Sequence, residues 1–151
     1  MLKKGQQFPD FQLPDQSGAI MTNKDFKGSH VLVYFYPKDD TSGCTAQACE
    51  LQEALPSFEG VPVIGVSPDS VISHRKFADK YNLKFTLLAD EDKVLSQAVG
   101  VWVEKSMYGK KYMGVERTSF LLDESGKVVK VWNNVKPAGH AAEVLDSLTV
   151  S

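Results

Sequence analysis

Cys44 and Cys49 are the only cysteines of this 151-residue chain, and they stand five residues apart in Pro37-Lys38-Asp39-Asp40-Thr41-Ser42-Gly43-Cys44-Thr45-Ala46-Gln47-Ala48-Cys49. The apolar run Val31-Leu32-Val33-Tyr34-Phe35-Tyr36 lies directly before them. That order puts Cys44 where a buried strand hands over to a helix. Free backbone N–H groups and the positive end of the helix dipole favour a thiolate there, so nucleophilic sulfur chemistry is the expectation. The bland alternative is a small buried hydrophobe. A position at the carboxyl edge of a parallel strand, where clefts form in α/β proteins, speaks for the reactive reading. Thr41 can accept from a helix N–H while donating to a bound oxygen, or act as an N-cap alone. Pro37 either shields a pocket and fixes the loop that enters it, or only terminates the strand.

The spacing Pro-x-x-x-Thr-x-x-Cys at Pro37, Thr41 and Cys44 resembles the active-site signature of the peroxiredoxins. A second cysteine five positions on is similar to their bacterioferritin-comigratory-protein or PrxQ subgroup. The resemblance runs from Gly5-Gln6-Gln7-Phe8-Pro9-Asp10-Phe11 through Gly65-Val66-Ser67-Pro68-Asp69 to Glu116-Arg117-Thr118-Ser119-Phe120. Phe85-Thr86-Leu87-Leu88-Ala89-Asp90 departs from the subgroup's Phe-Pro-Leu-Leu-Ser-Asp, which removes a φ restraint but none of the expected catalytic atoms.

This resemblance implies a thioredoxin-like thiol peroxidase that reduces hydrogen peroxide or an alkyl hydroperoxide and needs no metal, haem or flavin cofactor. Cys44 would be oxidised to a sulfenic acid, Cys49 would resolve it as an intramolecular disulfide, and thioredoxin or a similar dithiol protein would reduce that bond by exchange. The resemblance also gives Arg117 a role that its sequence position alone does not. Its planar, permanently charged fork would favour the ionised sulfur and place donors on the peroxide. Gln47, one helical turn past Cys44, would orient Arg117 or else face solvent.

Ionisation alone does not explain such chemistry. A thiol of ordinary pKa is about 3% thiolate at pH 7, so full ionisation multiplies the nucleophile only about 30-fold. The larger barrier is O–O cleavage, in which negative charge grows on the departing oxygen and calls for preorganised donors. Thr41 and Arg117 are the candidates. The cysteine spacing adds a mechanical condition. Residues five apart in an α-helix are separated by about 7.5 Å along the axis and about 140° around it, with Cα atoms about 9 Å apart. Disulfides tolerate about 7 Å, so a bond between the two requires the segment from Ser42 to about Leu51 to unwind.

Competing readings are weaker. Cys-x4-Cys is a poor zinc half-site, and His30, His74 and His140 show no paired spacing. His74 reads as a packed helix residue, and Ser67-Pro68-Asp69 as a loop that caps the next helix or borders substrate access. A general thiol-disulfide oxidoreductase would use Cys-x-x-Cys. A non-enzymatic redox sensor would consume one equivalent of peroxide and stop.

At 42% hydrophobic and 24% charged residues the chain fits one domain, residues 1–151, with a single core. A net charge of −2 offers no basic face to nucleic acid. No apolar stretch approaches the roughly 20 residues of a membrane span. Met1-Leu2-Lys3-Lys4-Gly5-Gln6-Gln7 lacks the apolar core of a secretory signal, and two cysteines without a stapled framework suit a reducing compartment, so a cytoplasmic location is expected. The subgroup and the lack of an apolar exposed stripe point to a monomer.

The elements that must hold these residues follow from periodicity. Val31 to Tyr36 predicts a strand covered on both faces, ended by Pro37. Gly43 to Leu55 predicts a helix with Cys44, Ala48, Leu51 and Leu55 on one stripe, N-capped by Thr41 or Ser42 and discouraged beyond Pro56. Val61 to Val66 predicts a second strand, parallel and adjacent to the first by the right-handed crossover rule. Ser70 to Tyr81 predicts a helix, Phe85 to Leu88 a third strand and Lys93 to Val99 a short helix. Thr118 to Leu122 and Val128 to Trp132 predict a hairpin, and Ala138 to Leu148 a closing helix. A βαβ half followed by a ββα half is an α/β layout, a thioredoxin-like fold with a central mixed sheet flanked by helices.

Overall fold

The computed structural model describes residues 1–150, so that Ser151, the last residue of the expected domain, lies outside the described residues. The chain opens with a small antiparallel pair, β1 (Gln12–Pro14) and β2 (Ile20–Thr22). Then come β3 (Val31–Phe35), α1 (Ser42–Ala54), β4 (Val63–Ser67), α2 (Val71–Tyr81), β5 (Thr86–Ala89) and α3 (Val94–Val99). The second half adds β6 (Trp102–Met107), β7 (Lys110–Val115), β8 (Thr118–Leu122), β9 (Val128–Trp132) and α4 (His140–Val150).

Five strands form the central sheet in the order β5-β4-β3-β8-β9. β3, β4 and β5 run parallel, while β8 is antiparallel to β3 and β9 antiparallel to β8. The mixed thioredoxin-like sheet and the neighbouring placement of β3 and β4 therefore match expectation. β3 is buried along its whole length because it is central and covered on both sides. Leu32, Tyr34 and Tyr36 enter a cluster with Cys44, Ala48, Leu51, Phe77 and Val144, which belongs to α1, α2 and α4. Val31, Val33 and Phe35 enter the opposite cluster with Phe8, Leu95, Val99 and Phe120, closed by α3 and the N-terminal segment.

Some elements differ from the sequence reading. α1 ends at Ala54, before Pro56 as expected, but the chain keeps turning in a 3-10 helix over Leu55–Phe58 that carries Pro56 in its first turn, where a missing N–H costs nothing, and the left-handed Glu59 ends it. α4 begins at His140 because Gly139 sits at φ 88°, outside helical geometry. The hairpin of β6 and β7 was not anticipated at all. It forms a separate two-stranded sheet whose outer residues are largely exposed, so the apolar alternation that marks a half-buried strand is missing. Its one local signal is Tyr108-Gly109, both at positive φ (52° and 78°), as a two-residue hairpin turn demands.

Gly65 in β4 lies opposite Tyr34, and a Cβ there would stand 2.9 Å from Leu87 Cδ2 and 3.0 Å from the Tyr34 ring. This close approach lets the Tyr34 ring lie over the sheet beneath α1. Gly65→Ala is expected to lower stability by about 1–3 kcal/mol, seen as an earlier urea midpoint, since two fully buried side chains, Leu87 and Tyr34, would both have to give way.

Candidate active site

Cys44 occupies the first turn of α1, 2% exposed, just past the carboxyl end of β3. Thr45 N is the first amide bonded to an upstream carbonyl, that of Thr41 at 2.8 Å, so the amides before it have no intrahelical acceptor. The side chain that was expected to occupy one of them does not. Thr41 stands at the N-cap position with extended backbone (φ −94°, ψ 157°), but its hydroxyl donates to the Lys38 carbonyl at 2.9 Å and makes no cap bond. The reason is the turn beneath it: Asp40 takes a left-handed φ of 56°, which folds the loop back on itself. Thr41 is exposed and Pro37 half-buried between Tyr36 and Lys38.

Arg117 approaches from the other half of the chain. It lies between β7 and β8, and its carbonyl accepts from Val135 N at 2.9 Å, which fixes the backbone. Its Nη2 donates to Cys44 Sγ at 3.4 Å and its Nη1 to Gln47 Oε1 at 2.6 Å. Gln47 is 1% exposed, which settles its orientation: it faces Arg117 and not solvent. The fit is close. A Cβ on Gly43 would stand 3.3 Å from Arg117 Nη2 and 3.2 Å from Pro137 Cγ, so the glycine makes room for the guanidinium.

Two buried donors beside this cluster have no hydrogen-bond partner, Gln47 Nε2 and the Tyr34 hydroxyl. Burial pushes the Tyr34 phenol well above its usual range, with negative charge at Cys44 and Asp39 acting in the same direction, so it remains a donor. Lys105, on the unanticipated hairpin, lies across Gly114 and donates to the Val115 carbonyl at 2.5 Å. Burial, and then the nearby Arg117, pull its ammonium down, while charge at Cys44 opposes them. Sequence reading missed Tyr34 and Lys105. The first looked like one more apolar strand residue, and the second lay in a stretch with no periodic signal.

Cys49 lies later in α1, half-buried and free, as is Cys44. Burial chiefly, and the Glu53 carboxylate one turn on, push its thiol up. The strap between β9 and α4 rests on the same helix, with Pro137 over Gly43 and Gly139 N donating to Glu50 Oε1 at 3.1 Å. Asp69 does not cap α2. Ser70 does, its hydroxyl accepting from Ser73 N at 3.1 Å, while Asp69 accepts from the Ser67 hydroxyl and Asp39 N. The arrangement as a whole sets a permanent cation, unpaired helix amides and buried neutral donors around one sulfur. Such a setting offers donors to charge that develops on a departing oxygen.

The sequence profile described as AhpC/TSA family matches residues 4–131. Among curated proteins, peroxiredoxin Bcp of Escherichia coli (strain K12) is 46% identical over 149 residues, covering 97% of this chain and 96% of that protein. Among solved structures, the Xylella fastidiosa PrxQ superposes with a TM-score of 0.93 at 35% identity, covering 99% of this chain and 97% of the other. The Xanthomonas campestris bacterioferritin comigratory protein, described for its alkyl peroxide reduction activity, superposes with a TM-score of 0.88 at 42% identity over 93% of this chain and 90% of that one. By these matches the chain belongs to the AhpC/TSA family, within its Bcp/PrxQ peroxiredoxins.

Proposed function

We propose that this thiol peroxidase works through Cys44 as the attacking sulfur and Cys49 as the resolving one, with hydrogen peroxide or an alkyl hydroperoxide as substrate. The Arg117 guanidinium 3.4 Å from Cys44 Sγ, at the uncapped start of α1, is the observation that carries this reading. The Cys44 thiolate attacks the terminal peroxide oxygen, the O–O bond breaks, and the departing alkoxide or hydroxide takes up a proton. Arg117 and the first helix amides supply donors, Thr41 joins them only once its hydroxyl turns from the Lys38 carbonyl, and Pro37 holds the entering loop. The Cys49 thiol then condenses with the Cys44 sulfenic acid, releasing water and leaving a disulfide. A thioredoxin-type dithiol protein reduces it, its own thiols becoming the new disulfide.

The resolving step requires α1 to open. Unwinding Ser42 to Leu51 breaks the Arg117–Gln47 and Gly139–Glu50 contacts and exposes Ala48 and Leu51, both 0% accessible when folded. The missing side-chain cap and the absence of acidic residues in the first turn make this end of the helix the easier one to open. We also propose a single monomeric domain acting in the cytoplasm, a setting supported by two free cysteines in a chain of ordinary size. No helix among the described residues is long and apolar enough to cross a membrane.

Peroxide-dependent NADPH oxidation through thioredoxin and its reductase tests the whole cycle. Sustained turnover is expected; a single equivalent consumed would indicate a sensor, and efficient insulin reduction a general oxidoreductase. Cys44→Ser should abolish turnover, whereas Cys49→Ser should consume one peroxide per chain and stall. Arg117→Ala should slow peroxide attack by about 100-fold or more while leaving the melting temperature nearly unchanged, and Arg117→Lys should restore little, because a point charge cannot serve sulfur and Gln47 together. On oxidation, amide protection from Ser42 to about Leu51 should fall and far-UV dichroism should lose helical signal. Because burial and Glu53 hold Cys49 in its thiol form, disulfide formation should accelerate as pH rises, and Glu53→Gln should move that rise to lower pH.

A further inference from the structure

Asp39 and His74 take no part in the steps above, yet their contacts are fully specified. Theirs is the ion-pair contact, among the described residues, in which both side chains are buried, at 0% exposure for His74 and 3% for Asp39. His74 Nε2 lies 2.9 Å from the Leu88 carbonyl of β5. A carbonyl can only accept, so Nε2 carries a hydrogen. His74 Nδ1 lies 2.6 Å from Asp39 Oδ2. A bare ring nitrogen and an ionised carboxylate would face each other there as two lone pairs, so one proton lies between them, whichever atom holds it. With that proton the pair is neutral overall. Without it, a net negative charge is sealed in the core with no donor at its centre.

The groups that face His74 do not replace that proton. Asp69, from the link between β4 and α2, places a carboxylate oxygen in the same cluster, within 4.8 Å. The Tyr36 ring of the β3 end stands 6.4 Å away, its hydroxyl already donating to Asp39 Oδ1 at 2.5 Å, and Ser73 donates to Asp39 Oδ2 at 2.8 Å. The charged neighbours are thus both carboxylates. The 2.6 Å contact has the length of a charge-assisted hydrogen bond.

Asp39 sits in the middle of the Pro37–Thr41 loop, two residues after Pro37 and two before Thr41. Its side chain ties this loop to α2, and its amide ties it to Asp69 at 2.9 Å. Asp40 adds a second, exposed tie to Lys80 and Tyr81 at the far end of α2. Neither tie involves α1, so both persist when that helix opens.

We propose that the proton shared by Asp39 and His74 positions the Pro37–Thr41 loop for the reaction at Cys44, and that its loss in alkaline solution releases the loop and slows attack on peroxide. The proposal rests on Cys44 being the attacking sulfur. Asp39 and His74 are positioning residues in it, acting on Cys44 through the loop and never touching the peroxide.

Asp39→Asn gives a direct test. An asparagine amide would donate to the bare Nδ1 of a neutral His74, Nε2–H would still reach Leu88, and the amide oxygen would still accept from Tyr36. The Ser73 hydroxyl, which donates to Asp39 Oδ2, would have to turn and accept from the second amide hydrogen; the other contacts remain and the titrating bridge is gone. The rate of sulfenic acid formation, trapped with a cyclic dione and read by mass spectrometry in a Cys49→Ser background, is to be measured with hydrogen peroxide at about pH 7 and about pH 9.5. The ratio of the alkaline to the neutral rate should be at least about threefold lower with Asp39 present than in Asp39→Asn. Equal ratios would overturn the proposal. A purely structural tie would change both rates together and leave the ratio where it was.

Should Asp39→Asn not fold, His74→Gln, which donates to Asp39 without titrating in this range, supplies the same comparison. The nitrogen and carboxyl resonances of the unaltered protein give an independent reading: a bare Nδ1 facing an ionised Asp39 at neutral pH would sink the idea. If the Cys49→Ser parent forms no sulfenic acid at all, the peroxidase assignment fails instead, and the resonances still decide the protonation of the pair.

Discussion

The site depends on delivering one guanidinium to one buried sulfur from 73 residues away in the chain. Strand register accomplishes this. β8 runs antiparallel to β3 with Thr118 opposite Phe35, so Arg117, just before Thr118, falls at the end of β3 where α1 begins. A one-residue slip of that pairing would turn every side chain of β8 to the other face of the sheet. The register is held by burial of β8 on both faces and by the antiparallel partner β9 beyond it. The Val135 amide on the Arg117 carbonyl and the space left by Gly43 then narrow the guanidinium to one position. The half-buried guanidinium finds two acceptors, Cys44 Sγ and Gln47 Oε1.

That arrangement conflicts with what the second cysteine requires. Packing of Ala48, Leu51 and Gln47 against the sheet and Arg117 favours an intact α1, whereas the proposed disulfide between the two cysteines would need its first turns to open. The helix is built for the compromise. Its start lacks a side-chain cap because Thr41 bonds backward to Lys38, and its first amides are left free near the sulfur. The same omission that leaves donors available for chemistry also lowers the cost of fraying. Upstream, the Asp39 network fixes the loop from Pro37 to Thr41 to α2, so motion can begin after Thr41 without disturbing the sheet.

Most of the secondary structure was legible in the chain. The continuous apolar run of β3, the helical stripe through Cys44, Ala48 and Leu51, and the Asp123 to Gly126 turn between β8 and β9 each report burial by periodicity. The β6 and β7 hairpin was not, because it buries little and its strands alternate in no readable pattern. At the site, Cys44, Arg117 and Gln47 were named from spacing and resemblance and do converge. Thr41 stands where expected, with its hydroxyl turned away from the helix amides by the left-handed Asp40. His74 is the packed helix residue expected, but its contact with Asp39 went unrecognised, as did Tyr34 and Lys105, since nothing local marks which distant groups such side chains meet.

By itself the sequence determined where a nucleophilic sulfur would sit relative to a strand and a helix, and that its partner thiol could not reach it along an unbroken helix. Both are consequences of spacing, which is a property of the chain. Only the tertiary structure decided which charge meets that sulfur, which donors remain unpaired around it, and that a buried histidine lies against a carboxylate of the loop leading to it. Periodicity tells which side of an element is covered; what covers it depends on the register and packing of segments far apart in the chain.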